Sequence, residues 1–502
     1  MNAPYFITTA IPYVNAAPHI GFAMELVLAD VLARHQRLRG RDVRFLTGTD
    51  ENSLKNVQAA EAEGLSTAAL VERNAAAFEG LRETLNLSFD DFIRTSAQPR
   101  HRVGAEALWR ACAARGDIYK RPYRGLYCVG CEQFYAEADL EDGRCPEHDT
   151  RPELVEEENW FFRLSRYEPQ LREFLESGTL RVVPEQHRNE ALTLVRGGLL
   201  DFSISRSSAR ARGWGVPVPG DPSQVMYVWF DALGNYITAL GYGGNASLLE
   251  RYWTHGVDRV HVLGKGITRF HAVYWPAILL SAGLTLPTAI AVHGYLTAEG
   301  RKIGKSLGNA IDPSAIVRSC GVDPVRYFLC RHIRAGRDGD SSLARVIQVR
   351  DTELADLLGN LLRRTTTMIE RYCDGRVPSP SPDSPLAALS DHVRERAEAA
   401  FDALRPDEAL DAVWSLVEAA NRFVVERAPW KDTDLRTATL YDLAEVLRIV
   451  AVHLQPFTPE TAREILQQLG DSGPTDWNTG TRWGALAAGT QVTPGGVLFP
   501  KS

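Results

Sequence analysis

The stretch from Tyr5 to Asp50 restricts the fold more than any other. Tyr5 to Ile11 (YFITTAI) is an apolar run of strand length, and residues 12–18 form a loop bounded by Pro12 and Pro18. From Phe22 to Arg39 no Gly or Pro interrupts, and Gly40 supplies a C-terminal stop, so a long helix is expected there. Asp42 to Thr49 (DVRFLTGT) is a second strand, ending at Asp50. Strand, helix and strand in this spacing make a βαβ unit, which implies a parallel sheet with ligands at the carboxyl ends of its strands. His19 and Gly21 then stand at the helix N-terminus, beside free backbone N–H groups and the positive end of the helix dipole, which suits phosphate. Asp50 falls near His19, where a carboxylate holds an ammonium group or a ribose hydroxyl, or caps the helix that begins near Ser53. The first turn carries no G-x-G-x-x-G, which argues against a dinucleotide cofactor.

A chain of 502 residues with 44% hydrophobic content can bury several cores, and about 150 residues per domain gives three or four. The net charge of −7 argues against general affinity for polyanions and leaves nucleic-acid binding to a local basic stripe. No apolar run reaches the roughly 18 residues of a membrane span, and MNAPYFITT has no basic n-region, so a cytoplasmic protein with no membrane partner is expected. Seven cysteines without a secretory signal do not make a disulfide framework. Three of them cluster with a histidine: Cys128, Cys131, Cys145 and His148 read Cys-x2-Cys-x13-Cys-x2-His. Two tight ligand pairs on separate turns fit a closed tetrahedral zinc site, and with all four positions filled by protein one structural Zn2+ is expected.

The knuckle lies in a stretch from Gly116 to about Asp221 that interrupts the parallel-sheet pattern. Glu157 to Phe162 (EENWFF) is expected to enter a helix, and Arg206, Arg210 and Arg212 add a basic cluster suited to a nucleic-acid strand end. The sheet is expected to resume with Val225 to Phe230 (VMYVWF) as a strand and a helix through Tyr236. His261 to Gly264 is another strand, and Gly264-Lys265-Gly266 opens a helix with Phe270, His271, Tyr274 and Trp275. Trp229, Tyr236, Phe270 and Trp275 are candidates for one apolar pocket. Ala289 to Tyr295 is a last strand, followed by a loop in which Lys302, Lys305 and Ser306 can meet a triphosphate and a leaving pyrophosphate. Its spacing is one residue short of a Walker A loop. The last third shows helical periodicity in Leu354 to Leu362, Leu410 to Val424 and Leu440 to Leu454, with a linker from Pro378 to Pro385, and reads as a helix bundle.

His19-Ile20-Gly21-Phe22 resembles the HIGH motif and Lys302-Ile303-Gly304-Lys305-Ser306 the KMSKS motif of class I aminoacyl-tRNA synthetases. Ala10-Ile11-Pro12-Tyr13, Thr47-Gly48-Thr49-Asp50-Glu51, Tyr227 to Ala232, Trp275-Pro276-Ala277 and His293-Gly294-Tyr295 resemble the methionyl-tRNA synthetase family, and the Cys3His knuckle is similar to one subgroup of it. The resemblance implies an α/β fold: a Rossmann-like catalytic domain (1–115 and 222–299) split by a knuckle insertion (116–221), a KMSKS-like and stem-contact region (300–344), and an all-α anticodon-binding domain (345–502). It implies ligation of methionine to tRNA(Met) with ATP and Mg2+. Ile11, Tyr13, Trp229, Ala232, Leu233, Tyr236, Ile267, Phe270, His271 and Trp275 would surround the methionine side chain and Asp50 would hold its ammonium. His19, Gly21, Lys302, Lys305 and Ser306 would be catalytic, His19, Gly21, Phe22, Gly264, His293, Lys302 and Lys305 would bind ATP, and Asn360, Arg364 and Trp430 would read the anticodon. A monomer is expected, because the chain ends just after Leu498-Phe499-Pro500. Phe22, Gly304, Gly266 and Asn52-Ser53 depart from the family pattern around the ATP site. A non-catalytic tRNA-binding or regulatory paralogue is therefore the rival expectation.

Overall fold

The computed structural model describes residues 3–130, 133–135, 137–146, 149–254, 256–298, 301–302, 311–380, 383–471 and 476–501, without the side chains of 133, 134, 138, 298, 301 and 302. The opening βαβ unit forms as expected. β1 (Pro4–Thr9) and β2 (Asp42–Thr49) flank the helix Ile20–Leu38, and β3 (Asp91–Arg94) extends the sheet. Ile7 lies in register with Phe45 on one side and Val260 on the other, all in parallel pairings.

The inserted stretch is largely antiparallel. β4 (Ile118–Cys128) pairs along its length with β6 (Glu153–Phe162), and β5 (Gln133–Tyr135) and β8 (Phe202–Ser203) complete a four-stranded sheet. Glu157 to Phe162 is therefore strand, where a helix was expected. The glutamates have helical propensity, but the cross-strand ladder to Tyr119 through Tyr123 overrides it, and Val155, Phe161 and Phe162 turn inward. β7 (Arg181–Val183), inside the span read as one insertion, is the sixth strand of the parallel sheet and pairs with Ala289–Ala291.

Val225 to Phe230 is not one strand, and the parallel sheet does not resume there. β9 (Ser205–Ser207), β10 (Pro217–Val218) and β11 (Asp221–Met226) form a small antiparallel sheet, and Val228–Leu233 is already helix. Both halves of the run are buried, so an unbroken apolar stretch gave no period to distinguish them. β12 (Asp258–Gly264) and β13 (Ala289–His293) complete the parallel order β3-β2-β1-β12-β13-β7. After β12 the chain makes a short 3-10 turn at Lys265–Ile267, a π-helical turn at Phe270–Tyr274 and the α-helix Trp275–Ser281. β14 (Leu296–Ala298) pairs with β15 (Arg301–Lys302) and β16 (Gly339–Asp340).

The C-terminal part is helical, as its periodicity predicts. Helices Pro385–Asp402, Pro406–Arg427, Arg436–Leu454 and Pro459–Gln468 pack beside a long segment from Leu343 to Tyr372 that carries a π stretch at Arg350–Gly359. The apolar core of this bundle is continuous with one face of the parallel sheet through the helices Ile20–Leu38 and Val322–Arg331. The other face of the sheet packs on a second core that includes Trp109, Phe230, Tyr236 and Trp275. Among the described residues no helix is long and apolar enough to cross a membrane.

Candidate active site

The carboxyl ends of β1, β2, β12 and β13 surround a cavity of about 460 Å³. One end is apolar and aromatic. Ile11, Tyr13, Trp229, Ala232, Leu233, Tyr236, Ile267, Phe270 and His271, all named from the sequence, come together in its lining, and Asp50 joins them. The Trp229 and Phe270 rings stack at 3.7 Å and 5°. Trp275 does not line the cavity: it is fully buried one layer behind, 5.9 Å from the Tyr236 ring, because the π turn before it carries Phe270 and His271 to the wall instead.

A buried pair fixes the polar chemistry of this end. His271 Nδ1 lies 3.0 Å from the Ile267 carbonyl and Nε2 lies 2.8 Å from Tyr236 Oη. A carbonyl only accepts, so Nδ1 carries the proton and Nε2 accepts from the tyrosine. Burial agrees with this assignment, since it pushes the His271 imidazole down to about 4 and the Tyr236 hydroxyl well above its usual range. Both groups are neutral at pH 7, which suits an uncharged side chain as ligand.

Asp50 follows β2, with its N–H donating to the Pro12 carbonyl at 2.9 Å. It is not the helix cap, because Ser53 Oγ accepts from Asn56 N–H and caps Leu54–Ala62. The next carboxylate, Glu51, turns into the wall and is bound by Arg94 Nε at 2.7 Å. Asn52 Nδ2 donates to Asp231 at 2.8 Å. Burial raises the Asp231 carboxyl to about 7 despite that bond, which ties the helix bearing Trp229 to the end of β2.

The other end of the cavity is lined by His19, Gly21, Phe22, Gly264, Gly266, His293 and Tyr295. His19 caps the helix: Gly21 N–H donates to its Nδ1 at 3.1 Å, which makes Nδ1 the acceptor nitrogen of the ring. A Cβ at position 21 would lie 3.0 Å from two atoms of that ring, so a larger residue there would press on the capping histidine. The expectation of free N–H groups in this turn is not met. Ile20 N–H donates to the Ile311 carbonyl, and the N–H groups of Phe22 and Ala23 donate to the His19 carbonyl. What the turn itself offers an anion is the positive end of the helix dipole, with the His19 ring beside it. Phe22 packs edge-on to Phe78 at 5.1 Å.

Sequence reasoning missed the group that joins the two ends. Glu25, one helical turn after Gly21 and buried, accepts from Ala10 N–H at 2.8 Å and Gly264 N–H at 3.1 Å, and bonds His293 Nε2 at 2.9 Å. It thereby clamps the ends of β1, β12 and β13. An acidic residue inside an otherwise apolar helix face was the available signal.

In the loop after β14, Lys302 ends β15, whereas its side chain and the whole of Lys305 and Ser306 lie outside the described residues. In the knuckle, Cys128 and Cys145 are buried and neither is in a disulfide. Cys131 and His148 lie outside the described residues, and among those described no group of three metal-ligating side chains forms. The stem of the knuckle leans on the apolar end of the cavity: Tyr127 and Val155 pack with Tyr227, Val228 and Ala232, and Gly130 lines the cavity itself. On the bundle, Arg364 Nη2 donates to Asn421 Oδ1 at 2.8 Å and its Nε to the Asn360 carbonyl at 3.3 Å, while Trp430 is 44% exposed.

Family models match along the chain: that for class I tRNA synthetases (M) over residues 5–151 and 135–366, and that for the anticodon binding domain of methionyl tRNA ligase over 378–502. The methionine–tRNA ligase of Mycobacterium bovis is 44% identical over 99% of this chain and 96% of its own length. That of Brucella suis is 43% identical over 99% and 98%. The fold is similar to Mycobacterium tuberculosis methionyl-tRNA synthetase in complex with methionyl-adenylate, with TM-score 0.94, 43% identity and full coverage of both chains. Against the apo form of that enzyme the TM-score is 0.87 at 40% identity, over 100% of this chain and 99% of that one. With both family models matched and relatives of this similarity spanning the whole length, the chain belongs to the methionyl-tRNA synthetase family of class I aminoacyl-tRNA synthetases.

Proposed function

We propose that this protein ligates methionine to tRNA(Met) with ATP, through a methionyl-adenylate. The observation that carries the reading is one cavity whose aromatic, uncharged end adjoins a carboxylate, Asp50, and whose other end is a His-capped helix N-terminus. Trp229, Phe270 and the neutral Tyr236–His271 pair would receive the thioether side chain, and Asp50 the ammonium. The methionine carboxylate then faces the nucleotide. One carboxylate oxygen attacks the α-phosphorus, the bond to the β-phosphate oxygen breaks, and pyrophosphate leaves. A terminal ribose hydroxyl of tRNA next attacks the acyl carbon and AMP leaves. No protein nucleophile is needed, so the residues act by positioning and by meeting charge. The His19 ring and the helix dipole would meet the phosphates together with Lys302, Lys305 and Ser306 of the segment that follows β14, and Mg2+ brought with ATP would share the phosphate charge.

Domain boundaries follow the same reading: a catalytic domain of 1–115 and 222–299, an insertion in 116–221 that lends β7 back to the parallel sheet, a stem-contact region of 300–344, and the bundle of 345–502 for the anticodon. Asn360, Arg364 and Trp430 would read the anticodon: Arg364 is half-buried with amide and carbonyl oxygens as partners, and Trp430 offers an exposed ring for a splayed base. A monomeric, cytoplasmic enzyme is part of the proposal.

Cys128, Cys131, Cys145 and His148 would hold one structural zinc. Two buried thiols at the base of the knuckle fit a thiolate set, and zinc there would fix the turn containing Gly130. Metal analysis of the purified protein should return one zinc per chain, and Cys145→Ser should lower that ratio. An unaltered protein free of zinc yet fully folded overturns the assignment.

The function itself is tested by methionine-dependent exchange of labelled pyrophosphate into ATP, without tRNA. Exchange specific to methionine is expected. Folded protein that binds tRNA but exchanges with no amino acid would instead be a non-catalytic paralogue.

A further inference from the structure

The loops after β12 and β13 meet at the nucleotide end of the cavity in an arrangement that depends on one missing side chain. Gly266 is exposed there, and a Cβ built on it would lie 2.1 Å from Tyr295 Oη and 3.3 Å from its Cζ. The phenol thus occupies the space that any side chain at 266 would take. Its ring is held on other sides as well. Lys265 Nζ stands 4.8 Å from the ring centroid, and that ammonium is paired with the Asp338 carboxylate at 2.7 Å. Asp338 Oδ1 also accepts the Tyr295 N–H at 2.8 Å. Behind Tyr295 a Cβ on Gly294 would lie 2.1 Å from the Arg337 carbonyl oxygen, so the two backbones are in close contact. Three segments, 264–266, 294–296 and 337–339, therefore agree in placing one hydroxyl at the lip of the cavity, and both Gly266 and Tyr295 line it.

A phenol is a neutral group that both donates and accepts, which matches a sugar hydroxyl. The phosphates have the His19 end of the helix, and the thioether has the aromatic end. We propose that Tyr295 is a nucleotide-binding residue of this enzyme, its hydroxyl bonded to a ribose hydroxyl of ATP and seated on Gly266. The proposal rests on the reading of this end as the nucleotide site.

Pyrophosphate exchange with ATP, 2′-deoxy-ATP and 3′-deoxy-ATP tests it in the full chain. Tyr295→Phe keeps the ring over Lys265 and removes only the hydroxyl. It should raise KM for ATP roughly three- to tenfold, the worth of one neutral hydrogen bond, with KM for methionine unchanged. One of the two deoxy nucleotides, penalised by a similar factor with the unaltered protein, should show no further rise with Tyr295→Phe. Gly266→Ala, which displaces the phenol, should give the same rise alone and less than a twofold addition on Tyr295→Phe. An unchanged KM for ATP, an equal rise for all three nucleotides, a rise in KM for methionine, or full additivity of the two substitutions overturns the proposal while the function stands. Absence of exchange by the unaltered protein overturns both.

Discussion

Arg326→Met is expected to destabilise the protein by about 3–5 kcal/mol, because it strips a buried carboxylate and three chain segments of their shared partner. The Arg326 side chain is wholly inaccessible. Its Nε donates to the Phe457 carbonyl at 2.8 Å, Nη1 to those of Leu85 and Asn86 at 3.0 and 3.3 Å, and Nη2 to the Pro456 carbonyl and Asp30 Oδ2, both at 2.8 Å. These bonds use all five donors of a guanidinium. They join the first catalytic helix, the turn after residue 84 and the end of the bundle helix Arg436–Leu454. Burial by itself would raise the Asp30 carboxyl, but Arg326 and Arg34 more than offset it and hold it below the usual range. Removing Arg326 takes one of two guanidinium partners from that charge, leaving it Arg34 and the Ser88 N–H and hydroxyl, both at 2.6 Å. Thermal unfolding should shift down by roughly 3–5 °C, given an unfolding entropy of about 2.1 cal/mol/K per residue over 502 residues. Asp30→Asn added to Arg326→Met should recover part of the loss, since the uncompensated charge is then gone. Because the same residue links the catalytic sheet to the bundle, tRNA charging should fall more than pyrophosphate exchange. A double variant no better than the single one, or equal loss of both activities, would refute this account.

How much of this was legible in the sequence depends on the range over which each feature is determined. The first βαβ unit was, because Pro18 and Gly40 punctuate it locally, and the helix runs Ile20–Leu38 where Phe22 to Arg39 was read. The bundle was legible too, since its leucines keep a helical period. EENWFF was misread because its partner strand begins at Ile118, and no local residue announces a ladder. Most of the cavity's apolar lining was named by motif resemblance; Trp275, named the same way, is buried behind it, since a π turn changes which residues of a helix share a face. The free N–H groups expected at His19 were taken up by Ile311 and by the histidine's own carbonyl and ring, contacts that only the fold reveals. Glu25, Tyr295 on Gly266, and Arg326 went unseen for the same reason. Each acts on partners from distant parts of the chain, and apart from the acidic Glu25 on an otherwise apolar helix face, composition and spacing carry no trace of such a meeting.

Acid should unfold this protein well above the carboxylate range, and His35 isolates why. Burial keeps His35 and His261 well below their usual range and lowers His101 to about 3 and His271 and His453 to about 4. Unfolded histidine titrates near 6.5. Below that pH the unfolded chain takes up protons on these five rings that the folded chain refuses, so stability falls as pH falls, by up to about 1.4 kcal/mol per ring per pH unit. Asp231 acts in the opposite sense, since burial raises it to about 7 and the folded chain binds a proton there that the unfolded chain lacks until far lower pH. Burial also raises the Asp323 and Asp442 carboxyls, so five rings against these three carboxyls leave a net slope of up to roughly 5 kcal/mol per pH unit near pH 5, with the same falling sign. Equilibrium unfolding at pH 7, 6 and 5 should show the midpoint dropping from below about 6.5, whereas carboxylates alone would hold it level until near pH 4. His35 is the ring to replace. It stacks on Phe401 at 3.7 Å, meets Trp477 edge-on at 4.5 Å, and neither of its nitrogens makes a hydrogen bond among the described residues. His35→Leu therefore gives up no hydrogen bond and keeps an apolar group in the helix–bundle contact, so stability at pH 7 should change little. The slope near pH 5 should flatten by about 1.4 kcal/mol per pH unit, one proton's worth. A slope unchanged by His35→Leu would mean that the acid sensitivity arises elsewhere.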